Sequence, residues 1–401
     1  MISRQIAGEL TATAAEFPVV TLIGPRQAGK TTLARMHFPD HAYANLEAPD
    51  VRLLAMQDPH AFFSQYPPPV IIDEIQRVPE VLSVIQVLAD NSRLRGQFIL
   101  TGSHQLRLQE AVSQSLAGRT ALLRLLPLSI SELEAAGITC ARDEYIHQGF
   151  MPRLYSENVN PIRLYRSYCQ TYIERDIRQM INLRRLTDFE QFMRLLAGRV
   201  GQVLNLNTLS DDLGVSSTTL KEWLSVLEAS HAIFRLNPYF ENFGKRIIKS
   251  PKVYFTDVGL ASYLLGIESA AHAARDPLIG NLFENMVVIE ALKSRLNAGR
   301  EPDLYFYRDN RGNEVDLLFR RNRELIPIEI KSAMTFNTEF AKGITRFRKV
   351  APTAQKGYIV YAGDLTPELP QARVLRFTDV SSIFEVKGPP SHPAPWVSSG
   401  R

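Results

Sequence analysis

The 401-residue sequence predicts an α/β fold: a parallel-sheet unit at the N-terminal end, then a helical region, then a second α/β unit. Three observations carry this. Strand-like and helix-like stretches alternate to about residue 136, the pattern of a parallel sheet layered with helices. The apolar run Pro18 to Ile23 passes through a Gly-containing loop into a helical stretch, Lys30 to Met36. Two more apolar runs, Val70-Ile71-Ile72 and Gln97-Phe98-Ile99-Leu100-Thr101, read as strands of the same sheet.

Taken in order, residues 1–16 read as a helix, with Ile2, Ile6 and Leu10 at helical spacing. The loop after the first strand is Gly24-Pro25-Arg26-Gln27-Ala28-Gly29-Lys30-Thr31, followed by Thr32. It fits G-x-x-x-x-G-K-[ST], a loop that cradles phosphates with backbone N–H groups at a helix N-terminus. The strand–loop–helix context is the one this chemistry requires. Lys30 is then expected to reach the β- and γ-phosphates of a nucleotide, and the Thr31 hydroxyl to hold Mg²⁺. Pro67-Pro68-Pro69 punctuates the chain before the second run, which ends in Asp73 and Glu74. In a parallel sheet that end lies beside the phosphate loop, so Asp73 is expected to hold Mg²⁺ and Glu74 to orient or deprotonate water. Thr101 and Ser103, at the tip of the third run, are candidates to sense the γ-phosphate.

Composition sets bounds. Hydrophobic residues make up 45% and charged residues 22%, ordinary for a globular chain, and the length suits two or three domains with cores of their own. A net charge of +4 is compatible with nucleic acid. Cys140 and Cys169 form neither a disulfide framework nor a metal pattern, which suits a reducing cytoplasm. The start MISRQIAGEL lacks a signal-type apolar core, and no run of membrane-spanning length occurs, so a cytoplasmic protein without membrane contact is expected.

Several stretches together resemble a known group. They are GPRQAGKTTL (24–33), YANLEAPDVR (43–52), VIIDEIQRVPE (70–80), FILTGS (98–103), LAGR (116–119), LPLSISE (126–132), YIERDI (172–177), KVYFTDVGLASYLLG (252–266), GNLFENMVVIE (280–290) and EVDLL with IEIKS within 314–332. The chain resembles the AAA-superfamily ATPases of bacteria and archaea that join this core to a C-terminal domain long labelled as of unknown function. The resemblance implies a P-loop NTPase core that uses ATP and Mg²⁺, often with sites between subunits. It also implies an arginine acting on the transferring phosphate. Arg119 is the candidate, with Arg175 compared beside it and a structural ion pair as the alternative for each.

The expected divisions are 1–150 for the ATPase core, 151–270 for a helical segment and winged helix, 271–387 for the last domain and 388–401 for a Pro-, Ser- and Gly-rich tail. In the middle division, Gly214 suits a tight turn between two helices, and Leu220, Leu224 and Leu227 give the second helix an apolar face. Ser216, Ser217, Thr218, Thr219 and Lys221 stand at its start, where a recognition helix meets DNA. Lys245, Arg246 and Lys249 form a basic wing between two strand-like runs, Ala232–Phe240 and Lys252–Thr256.

The last division reads α-β-β-β-α. Glu284 lies on its helix, Asp316 on its second strand, and Glu329 and Lys331 on its third. The spacing D-x₁₂-E-x-K resembles the PD-(D/E)xK core of restriction-endonuclease-like domains, with Val315 in place of the usual Pro. That resemblance implies Mg²⁺ on Asp316 and Glu329, Glu284 completing the site, and Lys331 acting on water or transition-state charge. DNA is the expected partner, with a second copy of the chain and other proteins as further partners. The rival reading is a slow ATPase switch that acts on proteins and carries an inactive nuclease-like domain.

Overall fold

The computed structural model describes residues 2–103, 116–173, 186–239, 250–309 and 312–385. The N-terminal unit runs α1 (Ala7–Glu16), β1 (Val19–Ile23), α2 (Lys30–His37), β2 (Ala42–Asn45), α3 (Pro49–Gln57), α4 (Pro59–Gln65), β3 (Val70–Asp73), α5 (Val81–Asp90), β4 (Phe98–Gly102) and β5 (Thr120–Arg124). Its five strands form one parallel sheet in the order β2-β3-β4-β1-β5. Successive side chains of a strand face opposite layers. Val19, Val70, Ile72, Phe98 and Leu100 therefore pack under α4 and α5, while Val20, Leu22, Ile71 and Ile99 pack under α1 and α2. Both faces are covered, which is why the inner strands β1, β3 and β4 read as largely apolar runs. Burying one side chain such as Phe98 fully stabilises the sheet by about 1.5–3 kcal/mol.

The helix expected over residues 1–16 begins only at Ala7. Arg4 is drawn out of it: its guanidinium donates to the carbonyls of Ala28 at 2.7 Å and Leu126 at 2.6 Å and pairs with Glu132. Ile6 and Leu10 keep the core face of the expected helix.

The middle region holds α6 (Ile130–Ala135), α7 (Arg142–Gln148), α8 (Pro152–Ser156), α9 (Pro161–Tyr168), α10 (Leu186–Ala197), α11 (Leu206–Leu213), α12 (Ser217–Ala229), β6 (Ile233–Leu236), β7 (Lys252–Phe255), α13 (Val258–Leu264) and α14 (Ala270–Ala273). Gly214 turns α11 into α12 in the left-handed conformation that glycine adopts without a Cβ penalty. The strands β6 and β7 pair antiparallel. Lys245, Arg246 and Lys249, and Arg175 with the YIERDI charges from Glu174 onward, lie outside the described residues.

The last unit is α15 (Ile279–Asn297), β8 (Leu304–Arg308), β9 (Glu314–Arg321), β10 (Glu324–Lys331), α16 (Lys342–Val350), β11 (Gly357–Tyr361) and β12 (Ala372–Arg376). Its sheet is mixed: β8, β9 and β10 pair antiparallel, and β10, β11 and β12 pair parallel. The expected α-β-β-β-α is present and is extended by β11 and β12. The middle and last regions do not have separate cores. Leu128, Phe150, Leu224, Tyr254, Phe283, Val288 and Ile328 belong to one buried cluster. The cause is α15, which is enclosed on nearly every side, burying Leu282, Phe283, Val287 and Val288 together with the polar Asn285, Glu290 and Lys293.

Candidate nucleotide site

The phosphate loop leaves β1 at its carboxyl end. Gly24 is fixed there by a close approach: a Cβ on it would stand 1.9 Å from the Leu125 carbonyl oxygen. Gly29 sits at φ 91° as the N-cap of α2, so the first turn of that helix opens onto the loop. Lys30 is buried, and its ammonium donates to the carbonyls of Gly24 at 2.9 Å and Pro25 at 2.8 Å. The ammonium thus already lies within the loop's own curve, where a phosphate oxygen is its natural competitor for those bonds.

Strand β4 separates β3 from β1, yet the carboxylate at the end of β3 reaches the loop. Thr31 Oγ1 donates to both oxygens of Asp73, at 2.9 and 3.0 Å. The Tyr43 phenol donates at 3.0 Å, and the Thr101 hydroxyl donates to Asp73 as well. Burial, and then the Asp73 carboxylate, hold the Tyr43 phenol well above its usual range, so it stays a donor. Three hydroxyls therefore satisfy one buried carboxylate, which water does not reach freely. A hydroxyl paired with a carboxylate in this way suits a hard cation that prefers oxygen ligands. Thr31 and Asp73 fit Mg²⁺ held with a nucleotide.

Glu74 follows Asp73 at φ 57°, a strained conformation for a non-glycine residue. The turn brings its carboxylate to Gln76 and Ser103. Gln76 donates to Glu74, and Ser103 Oγ donates to it at 3.3 Å. Both sensor candidates thus touch the acidic pair, Thr101 at Asp73 and Ser103 at Glu74. Arg26 lies against Glu47 at 3.8 Å, with Arg77 on the same carboxylate at 2.7 Å.

A cavity of about 650 Å³ opens over the loop, large enough for a nucleotide. Arg26, Gln27, Gly29, Lys30, Thr31, Thr32 and Glu74 line its phosphate end. Ile2, Met36, Leu128 and Pro152 give it an apolar flank, with Arg153 at its rim. Sequence reasoning missed that flank. Pro152 and Arg153 come from α8, which is fixed by the buried Asp257: Phe150 N–H donates to both Asp257 oxygens at 3.1 Å, and Gly259 N–H donates at 2.9 Å. Leu128 is held from the last unit. Lys293 of α15 donates to its carbonyl at 2.6 Å and pairs with Glu290 at 2.7 Å. Glu290 in turn accepts the Ile130 N–H at 2.8 Å.

Arg119 lies elsewhere. It precedes β5, whose Thr120 pairs in register with Val19 at the start of β1. The whole of β1, about 16 Å at strand rise, separates it from the phosphate loop of its own chain. It forms a salt bridge with Asp90 at 2.6 Å, the structural alternative raised for it. Arg119 therefore stands at the opposite end of β1 from its own chain's phosphate loop.

The C-terminal residues do come together, around lysines. Lys331 donates to Asp316 at 3.0 Å and Glu329 at 2.6 Å, and the Ile330 N–H donates to Asp316 at 2.8 Å. Glu284 accepts from Lys252 at 2.9 Å and from the Tyr254 phenol at 2.6 Å, and Lys252 also pairs with Glu314 at 2.6 Å. Burial, and then the neighbouring Asp316, push the Glu329 carboxyl up to about 8 against the pull of Lys331. Burial alone would lower Lys252 and Lys331, but their carboxylates outweigh it and keep both charged. Among the described residues, no group of three or more His, Cys, Asp or Glu side chains is arranged to hold a metal ion. As arranged, Asp316, Glu329 and Glu284 do not fit the divalent site expected of them. Lys252 and Tyr254 were not singled out in the sequence, because nothing in local spacing ties β7 to this cluster.

No helix among the described residues is long and apolar enough to cross a membrane. The family model for an AAA domain matches residues 16–134. Models for two domains of unknown function match residues 141–271 (DUF8612) and 279–380 (DUF4143). Two curated relatives, the uncharacterized proteins Mb2031c of Mycobacterium bovis and Rv2008c of Mycobacterium tuberculosis, are each 31% identical over 334 residues, covering 83% of this chain and 74% of theirs. Among solved structures, the Walker-type ATPase PABY2304 of Pyrococcus abyssi aligns over 65% of this chain and 94% of its own, at 14% identity and a TM-score of 0.43. The chain belongs to the same family as the two mycobacterial proteins, and it carries an AAA domain of the ATPase type followed by two domains of unknown function.

Proposed function

We propose that this chain is an ATP-driven switch: it binds ATP with Mg²⁺ at Gly24–Thr31, hydrolyses it, and passes the nucleotide state to its middle and last regions. The observation that carries the reading is the Thr31–Asp73 pair beside the inward-folded Lys30. When bound, Mg²⁺ supplies charge neutralisation on the phosphates and fixes their geometry. Lys30 exchanges its two carbonyl partners for phosphate oxygens. Thr31 and Asp73 supply oxygen ligands. Glu74 gives up its contacts with Gln76 and Ser103 to align the attacking water and accept its proton. The apolar flank of Ile2, Met36, Leu128 and Pro152 takes the base.

Transmission follows from who holds the cavity walls. Pro152 is anchored through Asp257, and Leu128 through Lys293, so a shift of either wall moves buried groups of the neighbouring regions. We further propose that the nucleotide state gates an interaction with DNA, a reading that rests on the α11–turn–α12 pair followed by the β6–β7 ribbon, the element order of a winged helix. It rests also on a cleft of about 880 Å³ whose lining includes Lys221, Arg235 and Arg308. A second reading, a switch acting on proteins, is favoured by the start of α12. There the Ser216 hydroxyl is engaged with the Thr219 N–H and hydroxyl, and the acidic Glu222 is exposed beside Lys221.

The test is ATP binding and turnover by the full chain with and without duplex DNA. Wild type is expected to bind and hydrolyse ATP faster with DNA, and Lys30→Ala to lose tight binding. Unstimulated turnover would favour the protein-directed switch. Equal binding by Lys30→Ala would sink the nucleotide assignment.

A further inference from the structure

The carboxylates of the last unit raise a question that the nucleotide site does not answer. Four of them, Glu284 on α15, Glu314 and Asp316 on β9, and Glu329 on β10, converge on one region of the sheet. A divalent cation bound there would need several carboxylate oxygens within about 2.0–2.6 Å of one point. In this chain the space between them is filled from within. Lys252 is 2% exposed, and its ammonium lies 2.9 Å from Glu284 and 2.6 Å from Glu314. It also lies 5.5 Å from the centre of the Phe306 ring. Lys331 bridges Asp316 and Glu329, and Arg308 meets Glu314 at 3.4 Å. The remaining oxygen of Glu329 is not reached by either lysine. It is buried without a hydrogen-bond partner, against Gly343 of α16, where a Cβ would stand 1.8 Å from it.

Lys252 differs from Lys331 in origin. Lys331 belongs to the strand motif itself. Lys252 opens β7 and arrives from the middle region, paired across β7 to Leu236 of β6. It therefore joins two regions as well as neutralising charge. A metal entering this site would have to displace a buried ammonium from both of its carboxylate partners. Burying an unpaired charge costs more than the contacts it would release.

We infer that Lys252 is a built-in counter-ion that closes the C-terminal carboxylate cluster to divalent metal and locks β7 of the middle region onto α15 and β9. The cluster then acts as a charged joint between regions and not as a centre for cutting phosphodiesters. The inference is independent of the ATPase reading, because Thr31 and Asp73 lie in another unit.

The test is Mn²⁺ binding to the full-length, nucleotide-free protein, followed by the paramagnetic resonance signal of free Mn²⁺. Wild type and Asp316→Asn are expected to give the same titration. Lys252→Met leaves the carboxylates with one cation fewer. It is expected to bind one Mn²⁺ more per chain than wild type does, and Asp316→Asn added to it is expected to remove that site. A site in wild type that Asp316→Asn abolishes would overturn the inference. So would a folded Lys252→Met protein that gains no Mn²⁺. If Lys252→Met does not fold, the comparison of wild type with Asp316→Asn and Glu329→Gln still decides, since both replacements keep the side-chain shape. ATP binding measured on the same samples separates this outcome from any failure of the nucleotide site.

Discussion

Lys293→Met tests the link between the nucleotide cavity and the last unit. The Lys293 side chain is 2% exposed and that of Glu290 is 4% exposed, with the ammonium 2.7 Å from the carboxylate. The ammonium also donates to the Leu128 carbonyl at 2.6 Å and lies 4.1 Å from the centre of the Phe150 ring. Methionine nearly keeps the volume and removes the charge. Glu290 is then left in the interior with only the Ile130 N–H. Breaking a buried pair from one side costs about 3–5 kcal/mol, and the orphaned Leu128 carbonyl adds about 1 kcal/mol or more. Lys293→Met with Glu290→Gln removes both charges while an amide oxygen still accepts from Ile130, so most of that loss should return. Denaturant unfolding followed by circular dichroism gives the three differences. ATP titration on the same proteins is expected to show weaker binding for Lys293→Met, by about tenfold or 1.4 kcal/mol, because Leu128 lines the cavity. A single variant within about 1 kcal/mol of wild type, below the scale of a broken buried pair, would refute the reasoning. A double variant no better than the single would refute it too.

Two further outcomes are expected. Glu329 holds its proton up to a pH of about 8, because burial and Asp316 oppose its charge, whereas the unfolded carboxyl releases it in the ordinary range near 4.5. The folded state thus carries the extra proton, so stability should fall as pH rises from about 4.5 to about 8. Unfolding curves of Glu329→Gln should lose that part of the slope, and an unchanged slope would assign it to other groups. Arg119→Ala should leave turnover by a monomer unchanged, since Arg119 sits at the opposite end of the sheet from the phosphate loop, paired with Asp90. Loss of turnover at constant ATP affinity, in a protein that light scattering finds to be oligomeric, would instead make it an arginine supplied by a second copy.

What the sequence made legible was local. Gly24 to Thr31 and Asp73-Glu74 are contiguous, and their chemistry follows from residue type plus a strand on one side. The parallel sheet was readable for the same reason: Val19–Ile23 and Phe98–Gly102 are buried on both faces and so are apolar but for Thr21 and Thr101. Strand β5 was not, because Thr120–Arg124 lies at an edge and mixes exposed with buried positions. The remaining gaps are long-range. Ile2 continues the helical spacing of Ile6 and Leu10, but Arg4 bonds to Ala28, Leu126 and Glu132 and ends the helix before it. Pro152 follows Phe150, whose N–H is held by Asp257, more than a hundred residues away. Lys252 meets Glu284 and Glu314 by a packing of β7 on α15 and β9 that no spacing in the chain announces.

The central claim is that this site turns over ATP with Glu74 acting on the attacking water. Single-turnover phosphate release by wild type and Glu74→Gln, with Mg²⁺ and equal amounts of bound ATP, tests it most directly. The amide keeps the shape that Gln76 and Ser103 hold, so binding should match wild type, while release should slow by about 10²–10⁴-fold for loss of a general base. A wild-type protein that holds ATP without releasing phosphate would contradict the account, as would a Glu74→Gln protein that releases it at the wild-type rate.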